Sequence, residues 1–267
     1  MSYVSYKIEG SDLQFVEVTL QPGGSIVGEQ GAMMYMDEHV AVTTVLGDGT
    51  AAKFGAIGRL FKAVKRMFTG EALFSGRYKN NANSLQRIAF ATPSISKILA
   101  IDLEELGGSL ICQKGAYLAG EEGTEVKLAL QKRLRVGFFG GEGFIMQRIE
   151  GSGLVFIGSS GALKEMTLAP GEVIKVDSGC LVGLSPSAAY EIKYAGKMKT
   201  AFFGGEGLFY ASVTGPGKVW LQSLPEKRLA AQLATAVGKR QGGKIGKIYL
   251  AMIIIYAIYV IATGVGA

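Results

Sequence analysis

Phe138-Phe-Gly-Gly-Glu-Gly143 recurs as Phe202-Phe-Gly-Gly-Glu-Gly207, 64 positions further on, and a repeat of that length is one supersecondary unit used more than once. The likeness continues beyond the glycines, because Gly151-Ser-Gly153 matches Gly215-Pro-Gly217 and Leu154-Val-Phe-Ile157 matches Lys218-Val-Trp-Leu221. A fainter third copy, Phe68-Thr-Gly-Glu-Ala-Leu73, stands 71 positions before Phe139. A second marker behaves in the same way. Gly23-Gly-Ser-Ile-Val27 with Gly31 returns as Gly107-Gly-Ser-Leu-Ile111 with Gly115, and again as Gly171-Glu-Val-Ile-Lys175 with Gly179. The last two are once more 64 apart.

Three units therefore fill residues 1–225, at about 1–85, 86–150 and 151–225. Each opens on a turn (Pro22-Gly23, Gly107-Gly108, Pro170-Gly171) and carries an aromatic-Gly-Glu marker further on. β-branched and aromatic runs such as Leu13 to Leu20 and Gly153 to Ile157, bounded by glycine, predict short strands. The expected fold class is all-β, with three related units packed as a pseudo-threefold sandwich or prism of the double-stranded β-helix kind.

Composition agrees with a folded chain that turns often. The 267 residues are 48% hydrophobic with 39 Gly and 6 Pro, too apolar for disorder and without a collagen period. The net charge of +6 points to nucleic acid only if it lies on the folded body, and it does not. Residues 1–225 hold 22 Lys and Arg against 21 Asp and Glu. Residues 226–267 hold six basic residues (Lys227, Arg228, Lys239, Arg240, Lys244, Lys247) and one acid, Glu226. A nearly neutral body makes nucleic acid an unfavoured partner, although the basic segments keep RNA binding as an alternative. Met1 to Gly10 alternates like a strand and lacks a signal or transit pattern, so no targeting segment is expected before the fold.

The residues offer little to a catalytic reading. His39 is the one histidine, in Met36-Asp-Glu-His39-Val, and its acidic neighbours on an extended chain point to opposite faces. Cys112 and Cys180 stand apart from each other and from His39, which fits small core residues rather than a metal or redox pair. The glycines of the repeat miss the phosphate-loop and dinucleotide spacings, and the paired acids Glu104-Glu105 and Glu121-Glu122 sit beside glycines in loop-like sequence. No catalytic residue and no cofactor is expected, and the ligand, if there is one, is not specified. The repeated glutamates Glu71, Glu142 and Glu206 are weak candidates for a cation site if they converge on a pseudo-threefold axis; exposed turn carboxylates are the simpler reading.

The segment FFGGEGLFYASVTGPGKVWLQSLP, residues 202–225, resembles the C-terminal signature of the altered-inheritance-of-mitochondria protein family. Gly70-Glu71 and the Gly23-Gly-Ser start are similar to it as well, so the resemblance covers residues 1–225. It implies the fold of the tryptophan RNA-binding attenuator protein, a threefold-repeated β structure that often self-assembles, and it implies no catalytic residues to carry over. Mitochondrial members are linked to inner-membrane organisation. Without a transit sequence, a prokaryotic-type member is expected.

Two segments suit a membrane. Residues 248–267 form a charge-free run of twenty residues including Tyr249, Ile253, Ile254 and Ile255. As a helix it is about 30 Å long, the thickness of a hydrocarbon core. Lys239, Arg240, Lys244 and Lys247 precede it, which orients the body toward the cytoplasm. A helix buried in an oligomer, with the protein cytoplasmic, is the other reading, because Tyr256 and Tyr259 interrupt the run. In residues 53–68, Phe54, Ile57, Phe61, Val64 and Phe68 recur at helical spacing among Arg59, Lys62, Lys65 and Arg66. Such a basic amphipathic helix lies on anionic lipid or packs on the β body. Residues 226–247 read as a basic linker or helix.

Overall fold

The computed structural model describes residues 4–46, 74–92, 95–129, 144–194, 209–225 and 228–230. The described chain is almost entirely strand, and residues 1–225 cluster as one compact unit apart from 226–267. Among the described residues, β1 (Val4–Glu9) precedes eighteen other strands. The first six of these are β2 (Phe15–Leu20), β3 (Ser25–Glu29), β4 (Met33–Met36), β5 (Val40–Leu46), β6 (Phe74–Asn80) and β7 (Gln86–Ala91). The next six are β8 (Ser96–Asp102), β9 (Ser109–Gln113), β10 (Tyr117–Glu121), β11 (Glu125–Leu128), β12 (Met146–Glu150) and β13 (Leu154–Ser160). The last six are β14 (Leu163–Leu168), β15 (Val173–Asp177), β16 (Leu181–Leu184), β17 (Ala189–Tyr194), β18 (Phe209–Thr214) and β19 (Gly217–Gln222).

Strand pairing repeats with this count of six. Within each set the sixth strand lies between the first and the third: β2-β7-β4, β8-β13-β10 and β14-β19-β16. The fifth lies between the second and the fourth: β3-β6-β5, β9-β12-β11 and β15-β18-β17. The markers give the period and hydrogen bonding groups the strands: β7 joins the first set and β13 the second, so the three strand sets end at residues 91, 160 and 222. The reason is topological, since the strand that closes a unit lies beyond the last glycine marker.

Local chemistry explains the strands. β2 alternates, with Val16, Val18 and Leu20 buried and their neighbours half-exposed, as one covered face requires. β3 and β16 are buried on successive residues because both of their faces are covered. The turn entering the second strand of each unit is built alike, with Gly23, Gly107 and Gly171 all at φ 77°, a conformation that costs glycine nothing. Each unit has its own apolar core. Val16, Ile26, Ile88 and Phe90 centre the first, Leu110, Tyr117, Ile149 and Val155 the second, and Leu168, Leu184, Val213 and Val219 the third.

Neighbouring units are joined by sharing sheets. β3 pairs with β10, and β9 pairs with β16, so each of two six-stranded sheets takes three strands from one unit and three from the next. The equivalent third junction, β15 with β4, is not made: the strands that would form one sheet are split into β1-β2-β7-β4 and β15-β18-β17.

Candidate functional site

The unmade junction is where the described body differs most from its own repeat. At each of the two closed seams a bulge interrupts the third strand. Leu118 is the inserted residue on β10 and Val182 on β16, and both are buried, at 2% and 1% exposure. The matching bulge on β4 inserts Met34, which is 56% exposed. Met33 beside it is exposed too, and across the gap so is Val173 at the start of β15. Among the described strands, β4 has β7 as its one hydrogen-bonded neighbour and β15 has β18.

An exchange of side-chain size accompanies this. On the second unit Phe156 of β13 lies opposite Ala119 of β10, and on the third Trp220 of β19 lies opposite Gly183 of β16. Each aromatic ring enters the core of the preceding unit. Phe156 belongs to the first unit's cluster and Trp220 to the second's. The small partner lets the seam close, for a methyl group at Gly183 would already lie 3.0 Å from the Ile111 carbonyl oxygen on the neighbouring strand. On the other side of the first seam a Cβ at Gly28 would land on the Phe90 ring. Tyr117 adds a bond across that seam, donating from its hydroxyl to the Val27 carbonyl at 2.8 Å.

The first unit reverses the order. Tyr35 sits on β4 and Ala89 opposite it on β7, and among the described residues no aromatic side chain of the first unit enters the third unit's core. Tyr35 donates instead to Glu17 on β2. Trp220 makes the same kind of bond, Nε1 to the Glu165 carboxylate at 2.9 Å, and Glu165 occupies on β14 the position of Glu17 on β2. Phe156, with no polar hydrogen, faces Ala100 there. Asp37 follows β4 and accepts from the Arg87 backbone and guanidinium; those bonds hold its carboxyl below the usual range.

The other polar groups singled out from the sequence occupy turns, strand ends and the core. His39 lies in the turn between β4 and β5, exposed, beside a shallow hollow formed with Asn81, Ala82 and Ser84. Cys112 is buried and its thiol is pushed up to about 12 by desolvation. Glu29, at the end of β3, has one carboxylate oxygen buried without a hydrogen-bond partner among the described residues, and burial raises its pKa although Lys114 opposes this. Glu104 and Glu105 are exposed on a short 3₁₀ turn, whereas Glu122 is engaged by Ser25 and Arg77. Among the described residues no three His, Cys, Asp or Glu side chains gather as metal ligands.

The glutamates Glu71, Glu142 and Glu206 lie outside the described residues, as do the basic helix 53–68 and the membrane set Lys239, Arg240, Lys244, Lys247, Tyr249, Ile253, Ile254 and Ile255. Among the described residues no helix is long and apolar enough to cross a membrane. The seam was not foreseen from sequence, yet a signal existed. Aligning Arg87-Ile-Ala-Phe90 under Leu154-Val-Phe-Ile157 and Lys218-Val-Trp-Leu221 sets Ala89 against Phe156 and Trp220.

Three sheet-sharing β units with buried bulges at two junctions and an exposed one at the third define a repeat-built all-β protein. The chain matches the mitochondrial biogenesis AIM24 family over residues 6–224, and it belongs to that family. It is 30% identical over 221 residues to an uncharacterised protein of Streptococcus pyogenes serotype M6, covering 82% of this chain and 84% of the relative. A crystal structure of a Streptococcus pyogenes protein superposes with a TM-score of 0.70 at 26% identity, over 87% of this chain and 99% of the other. These relatives are bacterial, as expected of a prokaryotic-type member.

Proposed function

We propose that the protein is a non-catalytic, self-associating β scaffold held at the cytoplasmic face of a membrane by residues 248–267. In this reading its three units are arranged as a pseudo-threefold prism with one seam open, and the apolar tail is a helix. The observation that carries it is the segregation of the sequence. The family match ends at residue 224, and beyond it come a basic segment and then twenty residues without a charge. A span of that length with lysine and arginine on one side is the pattern of a single anchor with its body on the basic side. The body's recurring strand plan and near-neutral charge suit a structural or binding role more than a nucleic-acid surface.

Membrane fractionation tests the reading directly. The full chain is expected to pellet with membranes and to need detergent for release, and a form lacking residues 244–267 to stay in the supernatant. Full-length protein that is soluble and monodisperse without detergent overturns it. Vesicle flotation at low and high salt separates the contributions: the basic residues 239–247 weaken with salt, the apolar run does not.

A further inference from the structure

The two closed seams show what a third-strand edge of this fold accepts. β10 takes β3 in the antiparallel register Ala119↔Gly28, Gly120↔Val27, and β16 takes β9 as Gly183↔Cys112, Leu184↔Ile111. Carried to the third junction, the register sets Tyr35 opposite Val176 and Met36 opposite Lys175. The strand chemistry that fits β4 is thus that of this chain's own β15, and the reverse holds too. In one molecule neither edge receives the other, and Met33, Met34 and Val173 remain exposed on strands whose counterparts are buried.

We propose that a second copy of the chain occupies the open seam, β4 of each molecule pairing with β15 of the other. This deepens the self-association part of the function proposed above and does not depend on the membrane anchor. A two-fold axis running along the strands brings β15 of one copy to β4 of its partner and β4 to β15. Because that rotation preserves strand direction, both new pairs stay antiparallel, as in the closed seams. Both seam edges are satisfied at once and neither is left to recruit a third molecule, which is the property of an isologous dimer. Tyr35 opposite Val176 makes an aromatic against β-branched cross-strand pair, a stabilising combination. The pairing also covers Met33, Met34 and Val173. A foreign extended peptide would satisfy one edge and leave the other open, so the second copy is the occupant that accounts for both.

Cysteine crosslinking of the full chain in mild detergent tests the proposal, with Cys180→Ser as background. Tyr35→Cys and Val176→Cys are made as separate proteins, and Met36→Cys and Lys175→Cys as a second pair in which Lys175 is exposed. Mixed and gently oxidised, one member of each pair with the other, they are expected to yield a disulfide-linked dimer absent from either protein alone. In the double variant Tyr35→Cys/Val176→Cys the bond is expected between molecules. An intramolecular bond in the double variant shows that the seam closes on itself and overturns the proposal. A dimer by mass with no crosslink in either mixture also overturns it, while leaving self-association through another surface. A monomer by mass removes the seam pairing and self-association together.

Discussion

The closed seams and the open one are made of equivalent strands with equivalent bulges, yet they bury opposite amounts of side chain. Where Phe156 and Trp220 project from the sixth strand over a small residue on the third, two sandwiches share a sheet. Where Ala89 and Tyr35 exchange those sizes, the sheet divides. What joins neighbouring units is thus one aromatic side chain buried in the adjacent core rather than strand pairing alone. Backbone hydrogen bonds are available at all three junctions, but their net contribution is about 0.5–1.5 kcal/mol each. Burying an aromatic ring is worth more, and the third junction lacks that contact.

Replacing the rings is the strongest way to break that contrast. Trp220→Ala and Phe156→Ala are each expected to cost about 3–5 kcal/mol in urea unfolding, whereas Tyr35→Ala, which loses a hydrogen bond at a half-buried site, is expected to cost about 1 kcal/mol. Equal losses at all three positions would show that the rings do not govern the junctions. The bulges give the next largest effect. Leu118→Ala is expected to destabilise by about 2–5 kcal/mol, and Met34→Ala at the matching position to stay within about 0.5 kcal/mol. Gly28→Val, which pushes a side chain into Phe90 at a closed seam, is expected to cost about 1–3 kcal/mol and to lower the melting temperature.

Two further changes sharpen the comparison. Ala89→Phe combined with Tyr35→Ala gives the first unit the size order of the other two. Hydrogen exchange across β4 and β15 is expected to slow in that variant, and unchanged exchange would mean that something besides the missing ring holds the third seam open. The smallest effect concerns Glu29. Its folded carboxyl binds protons more tightly than the unfolded one, so its contribution to stability falls as pH rises from the ordinary carboxylate range through the raised value. Glu29→Gln is accordingly expected to raise the melting temperature at neutral pH, with the gain disappearing in acid where both states are protonated. A gain that persists in acid would point to packing instead of charge.

Much of the fold was legible. The glycines that mark each unit predicted three copies of one plan, and Gly23, Gly107 and Gly171 share one backbone conformation because the same tight turn is used three times. β13 and β19 were already aligned by their sequences, Phe156 against Trp220 included. The phase of the units was not legible, because the period of a repeat does not say which strand hydrogen-bonds to which. Nor was the function of the glycine-glutamate markers, whose residues lie outside those described.

By itself the sequence determined an all-β chain of three related units, a nearly neutral body and a charged, then apolar, continuation. These follow from local rules: side-chain alternation, glycine at positive φ and the distribution of Lys and Arg along the chain. Only the tertiary structure decided that two junctions are sealed and one is not. An Ala in place of an aromatic is unremarkable within its own strand, and Ala89 is as buried as its counterparts. Its consequence falls on a different unit, whose core receives no ring from the sixth strand of its neighbour, and that becomes apparent only when strands far apart in sequence are set side by side.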